Sequence, residues 1–208
     1  MTSAQSVVFV IDDDASVREA LQDLLQSIGL EVVSFVSGQE FLQGRRPDVP
    51  ACIVLDVRLP GQSGLEFQRA LADADIHLPV IFLSGHGDIP MSVQAIKSGA
   101  VEFLTKPVHE QKLLDAVQTG LKRDRVRRQD AKLVVELQER FRSLTARERE
   151  VLSLVVTGRQ NKQIAGDLDL SVMTVKVHRS QITRKMGATS IVDLVRMADK
   201  LGLSADST

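Results

Sequence analysis

Four short apolar runs in the first half of the chain each end in a side chain that carries chemistry. Val7-Val8-Phe9-Val10-Ile11 ends in Asp12-Asp13-Asp14, and Cys52-Ile53-Val54-Leu55 ends in Asp56. Val80-Ile81-Phe82-Leu83 ends in Ser84, and Val101-Glu102-Phe103-Leu104-Thr105 ends in Lys106-Pro107. Near-continuous apolar runs of this length are strands buried on both faces, as in a parallel sheet covered by helices. In such sheets, sites form outside the carboxyl ends of the strands. Acids, a hydroxyl and one ammonium therefore meet at one point, a set that suits a divalent metal and a phosphoryl group.

Helical signals fill the gaps. Val17, Leu21, Leu24, Leu25 and Ile28 recur at helical spacing before Gly29. Val32 to Val36 is a second strand, and Ser37 caps a short helix through Phe41-Leu42. Arg58-Leu59-Pro60-Gly61 is a loop, and a helix follows from Ser63 to Ala74. Pro90 opens a helix that stops at Gly99, and a fifth begins near Glu110. Five strands alternating with five helices predict an α/β domain, a (βα)5 doubly wound parallel sheet, over residues 1–121.

From Glu110 to Arg142 there is no proline and one glycine, Gly120. One long helix of roughly 50 Å, or a helix broken near Gly120, fits this stretch. Residues 122–141 are expected as a helical linker, and the charged run Lys122 to Arg128 as a solvated face. Residues 142–208 carry only helical signals. Thr145 and Glu148 form a capping box, Gly158 stops that helix, and Asn161 opens a short one. A turn at Asp169-Leu170 precedes a helix capped by Ser171 that runs to Met186, and Ile191 begins a fourth. Two short helices across a tight turn predict an all-α, four-helix helix-turn-helix domain.

Charge separates the halves. Residues 1–120 hold 8 Lys+Arg against 16 Asp+Glu, a net of −8. Residues 121–208 hold 18 against 11, a net of +7. An acidic front and a basic back point to two domains with different partners. The absence of Trp and Tyr argues against a stacking platform for single-stranded nucleic acid. One cysteine, Cys52, leaves no internal disulfide and fits a reducing compartment. No signal-like N-terminus or membrane-length apolar stretch is seen, so a cytoplasmic location is expected.

The acids at the first strand end make a poor choice for stability alone. Two carboxylates ~4 Å apart repel by about 4 kcal/mol at an effective dielectric of 20. Bound Mg²⁺ reverses that sign, and an aspartate can carry an acyl-phosphate. Asp14 is expected only to cap the following helix.

With these motifs, residues 5–122 resemble the receiver domain of two-component response regulators. The resemblance implies that Asp56 accepts a phosphoryl group from a sensor histidine kinase. It implies a Mg²⁺ site from Asp12, Asp13, Asp56 and the Arg58 backbone carbonyl, with Asp13 as the direct ligand. Ser84 and Lys106 would contact the phosphoryl group, with Lys106 joined to Pro107 by a cis peptide. Ser84 and Phe103 would form a switch that alters the surface of the fourth helix, fifth strand and fifth helix. Plain core packing is the other reading of Phe103.

Residues 142–204 resemble the LuxR-type helix-turn-helix. The matching signature is Leu144-Thr-x-Arg-Glu-x-Glu-Val-Leu, Asn161-Lys-x-Ile-Ala, Thr174-Val-Lys-Val-His-Arg and Lys185-Met. Together the halves resemble the NarL/FixJ class, with Gly85-His86-Gly87-Asp88 leaning to the FixJ branch. The resemblance implies that Lys176, Val177 and Ser180 face bases, and that Val175 and Ile182 face the core. Lys162, Thr174, His178, Arg184 and Lys185 are candidate phosphate contacts; an ordinary surface histidine is the other reading of His178. The implied partners are the kinase, double-stranded DNA, a second copy of the chain on phosphorylation, and RNA polymerase. At rest, the halves either dock and mask the recognition helix or stay apart, with phosphorylation acting through dimerisation alone. Two rival readings remain. A phosphatase with an aspartate nucleophile needs a general acid two residues on, where this chain has Arg58. A phosphorelay or scaffold protein would use the back half to bind protein.

Overall fold

The computed structural model describes residues 6–85 and 89–203. His86, Gly87 and Asp88 of the glycine-rich motif lie outside the described residues. The chain divides into two compact units between Arg128 and Gln129.

In the first unit, strands β1 (Val7–Ile11), β2 (Glu31–Phe35), β3 (Ala51–Asp56), β6 (Val80–Ser84) and β7 (Glu102–Thr105) form one sheet. Its order is β2-β1-β3-β6-β7 with every neighbouring pair parallel. Helices α1 (Ala15–Ser27), α2 (Gly38–Gln43), α3 (Gly64–Asp73), α4 (Ile89–Lys97) and the start of α5 (Glu110–Arg142) alternate with the strands. Strand side chains alternate between faces, and both faces are filled. Val7, Phe9 and Ile11 pack with Phe41, Phe67 and Ala95 from α2, α3 and α4. Val8 and Val10 pack with Leu25 from α1 and with Leu113 and Val117 from α5. This two-sided burial is why the central strands β1, β3 and β6 are near-continuous apolar runs rather than alternating.

The stretch after Asp56 differs from the expected plain loop. Arg58–Leu59 (β4) and Gln62–Ser63 (β5) pair as a small antiparallel hairpin. Gly61 takes φ +77° in its two-residue turn, which a side chain disfavours. Gly64 then opens α3 against the site strand. A Cβ there would lie 2.8 Å from the Asp56 carbonyl oxygen. Helix α5 runs unbroken through Gly120, where a Cβ would meet the Cys52 Cβ at 3.0 Å. That glycine allows close approach of the helix to the sheet and does not end it.

In the second unit, α6 (Ala146–Val156), α7 (Asn161–Asp167), α8 (Val172–Met186) and α9 (Ile191–Lys200) surround one core. Val151, Leu152, Val155, Ile164, Val175, Ile182, Met186 and Leu194 fill it, with Leu137 of α5. The capping box of Thr145 and Glu148 forms as the spacing predicts. Ser171 caps α8 through the Thr174 N–H. Among the described residues, no helix is long and apolar enough to cross a membrane.

Candidate functional site

The strand register sets the first site. β1 and β3 pair Ile11 with Leu55, so Asp12 and Asp56 leave the same edge of the sheet. β6 and β7 pair Ser84 with Thr105, which brings Lys106 to that edge, and the Lys106 N–H donates to the Ser84 carbonyl at 2.7 Å. The Lys106 ammonium donates to Asp12 Oδ2 at 2.7 Å and to Asp56 Oδ1 at 2.6 Å. Asp12 and Asp56 are 1% and 6% exposed, so among the described residues a buried carboxylate pair shares one cation. The other Asp56 oxygen accepts the Arg58 N–H at 2.7 Å. Asp12 Oδ1 accepts the Asp14 N–H at 3.0 Å, and Arg18 donates to the Asp12 carbonyl at 2.7 Å. Burial opposes the charge on Lys106, but the bonds and charges of Asp12 and Asp56 prevail and hold its pKa above the ordinary lysine value.

Other residues expected here take different places. Asp13 is exposed at the rim. Asp14 caps α1, accepting from the Ser16 and Val17 N–H groups, and the Ser16 hydroxyl with these N–H groups lowers its pKa. Ser84 is buried beside the pair. The Lys106-Pro107 peptide is cis. Phe103 is half-buried, its ring 6.3 Å from that of Phe82. Among the described residues no group of three or more His, Cys, Asp or Glu side chains is placed to hold a metal by itself. Cys52 is a core residue, and burial, with Asp124 nearby, pushes its thiol pKa far up.

On α8 the side away from the core carries Lys176, Val177 and Ser180, all exposed, while Val175 and Ile182 are fully buried. Lys162 and Arg184 are exposed. Thr174 is half-buried, and its hydroxyl shares a hydrogen bond with Ser171 at 2.8 Å. His178 is half-buried, and its Nδ1 has no hydrogen-bond partner among the described residues. Lys185 is engaged inside the domain. Its ammonium lies 2.7 Å from Glu148 Oε2, and Glu148 is 1% exposed. Burial raises the Glu148 pKa, but the Lys185 and Thr145 hydrogen bonds prevail and lower it. Arg179 donates to Asn161 Oδ1 at 2.7 Å and ties α8 to the start of α7. These last two pairs belong to the signature but build the scaffold, which residue spacing alone does not reveal.

The run Lys122 to Arg128 departs from a solvated face. Asp124 is fully buried and accepts from the Ala51 N–H (2.9 Å), from Arg127 (2.9 and 2.7 Å) and from Arg128 (2.6 Å). Arg128 also pairs with Asp48. A charged side chain every residue or two hides the one that turns inward.

The response regulator receiver domain model matches residues 8–118, and the luxR family model of bacterial regulatory proteins matches residues 142–198. The chain belongs to the FixJ/NarL class of response regulators. It is 52% identical to Nodulation protein W of Bradyrhizobium diazoefficiens, over 99% of this chain and 91% of that protein. It is 44% identical to Transcriptional regulatory protein FixJ of Azorhizobium caulinodans, over 95% and 93%. The solved structure of response regulator StyR is 48% identical and superposes with a TM-score of 0.80, covering 95% of this chain and all of that one. As a member of this class, the protein is a transcription regulator controlled by phosphorylation, with a histidine kinase and DNA as partners.

Proposed function

We propose that Asp56 is the phospho-acceptor. The observation that carries this is the buried Asp12–Lys106–Asp56 bridge, in which one ammonium faces two carboxylates and leaves a net negative charge. The donors are all hard oxygens, from Asp12, Asp13, Asp56 and the Arg58 carbonyl. They fit Mg²⁺, which takes one or two carboxylates and completes its shell with water and phosphate oxygens. When bound, Mg²⁺ would neutralise charge on the transferring phosphoryl group. An Asp56 oxygen attacks phosphorus, the Asp56 O–P bond forms, and the bond to the donor, a kinase phosphohistidine or an acyl phosphate, breaks. Lys106 follows the phosphoryl oxygens, and the Ser84 hydroxyl bonds one of them. Phe103 then repacks and alters the surface of α4, β7 and α5.

The second half supplies the output in the cytoplasm. Lys176, Val177 and Ser180 read base edges, and Lys162, Thr174, His178 and Arg184 hold phosphates. Lys185 is the weakest of the phosphate candidates, since its ammonium already neutralises Glu148. Phosphorylation favours a homodimer, which reads two half-sites and presents RNA polymerase with a fixed surface. Labelling with acetyl phosphate and Mg²⁺ tests the acceptor. Wild type should carry acid-stable, base-labile label that Asp56→Asn lacks; undiminished label on the variant removes Asp56 from the role.

A further inference from the structure

Met173 is 68% exposed, more than any other large apolar side chain of the second unit. It sits in the first turn of α8, beside Val172 at 41% and one turn before Val177 at 49%. At about 100° per residue, Ile182 falls about 180° round the helix from Met173 and Val175 about 160° from it. Both are fully buried, so Met173 points directly away from the core. Lys176, Val177 and Ser180 fall within about 60° of the same line. Single exposed apolar side chains are common and carry no meaning alone. Here Met173 and Val177 lie about 40° apart on one side, near the N-terminal end of a recognition helix, the end whose side chains meet base edges. The major groove displays one apolar group, the C5-methyl of thymine.

We infer that Met173 is a specificity-determining residue that reads a thymine methyl in each half-site. The inference rests on the assignment of α8 as the DNA-reading helix and deepens it. The thioether chain is long, unbranched and polarizable, which suits contact with a methyl group whose position shifts with groove geometry. Lys176, about 60° round the helix, supplies polar contacts to a neighbouring base pair, so the half-site pairs an apolar feature with a charged one.

The test uses a duplex selected from a random-sequence pool by the full-length protein phosphorylated with acetyl phosphate. Each thymine of a half-site is replaced in turn by deoxyuridine, which removes the methyl and keeps the base pair. At one position the wild type should bind about fourfold more weakly, the worth of one buried methyl, and about 15-fold more weakly when both half-sites are changed. Met173→Ala should bind thymine and uracil duplexes equally, at the affinity wild type shows for uracil. Met173→Leu, which keeps apolar reach, should keep most of the discrimination. If no uracil weakens wild type, or if Met173→Ala keeps the wild-type ratio, the assignment of Met173 is overturned while DNA reading by α8 stands. If Lys176→Ala and Arg184→Ala leave affinity for the selected duplex unchanged, α8 is not the reading helix and both assignments fall.

Discussion

Two clusters of buried charge sit at opposite ends of the receiver sheet and are balanced in opposite ways. At the carboxyl end, Asp12 and Asp56 share the single ammonium of Lys106, and each carboxylate accepts two hydrogen bonds among the described residues. At the amino end, Asp124 alone accepts four, from two guanidinium groups and the first N–H of β3. A carboxylate offers about four lone-pair sites. Asp124 is therefore saturated, with Arg127 and Arg128 balancing it and Asp48, whereas Asp12 and Asp56 keep unused acceptors and a net negative charge. Buried charge that is fully paired holds structure together; buried charge left short of partners is disposed to bind something.

This contrast predicts opposite signs for neutralising an acid at each end. Asp124→Ala unpairs Arg127, leaves Arg128 with Asp48 alone and strands the Ala51 N–H, and should lower stability by about 2–4 kcal/mol in urea unfolding while leaving phosphorylation intact. A loss under 1 kcal/mol would make that cluster a surface network. Gly64→Ala drives a Cβ into the Asp56 carbonyl. It should cost about 1–3 kcal/mol by overpacking and slow labelling with acetyl phosphate, because the strand end at Asp56 must shift. Asp56→Asn should leave stability unchanged or raise it by about 1 kcal/mol, since it relieves repulsion with Asp12. A clear loss of stability would mean that the Asp12–Lys106–Asp56 bridge is structural, as the Asp124 cluster is.

Glu148 and Lys185 give a third, smaller case in the second unit. The Glu148 pKa is lowered on folding, so its contribution to stability is present above the ordinary glutamate range and is lost as pH falls through the folded value. Thermal unfolding of wild type should therefore show an acid-dependent component that Glu148→Gln lacks. Matching pH profiles would assign the acid sensitivity to other carboxylates.

The meeting of Asp12, Asp56 and Lys106 at one sheet edge was legible in the sequence because these residues end apolar strands, where a charge stands out against its neighbours. Asp12, Asp56, Ser84 and Lys106 are separated by tens of residues, yet parallel pairing delivers them to one edge whatever the connecting lengths. Asp124 was not legible, because nothing in a run of Lys, Arg and Asp marks the one side chain that turns inward. Its burial depends on where the β3 N–H of Ala51 meets α5. Lys185 shows the same limit, for a cation on a basic helix looks alike whether it faces phosphate or a buried glutamate. The β4–β5 hairpin escaped for another reason: two-residue strands are too short to show a period.

The central claim is that the under-neutralised cluster carries the phosphoryl group on Asp56. Borohydride reduction of the acetyl-phosphate-treated protein converts an aspartyl phosphate to homoserine, which peptide mass spectrometry locates. Homoserine in place of Asp56, dependent on Mg²⁺ and absent after Lys106→Met, is the predicted result. Homoserine at Asp12 or Asp13, or equal modification of Asp56 in excess chelator, would contradict it.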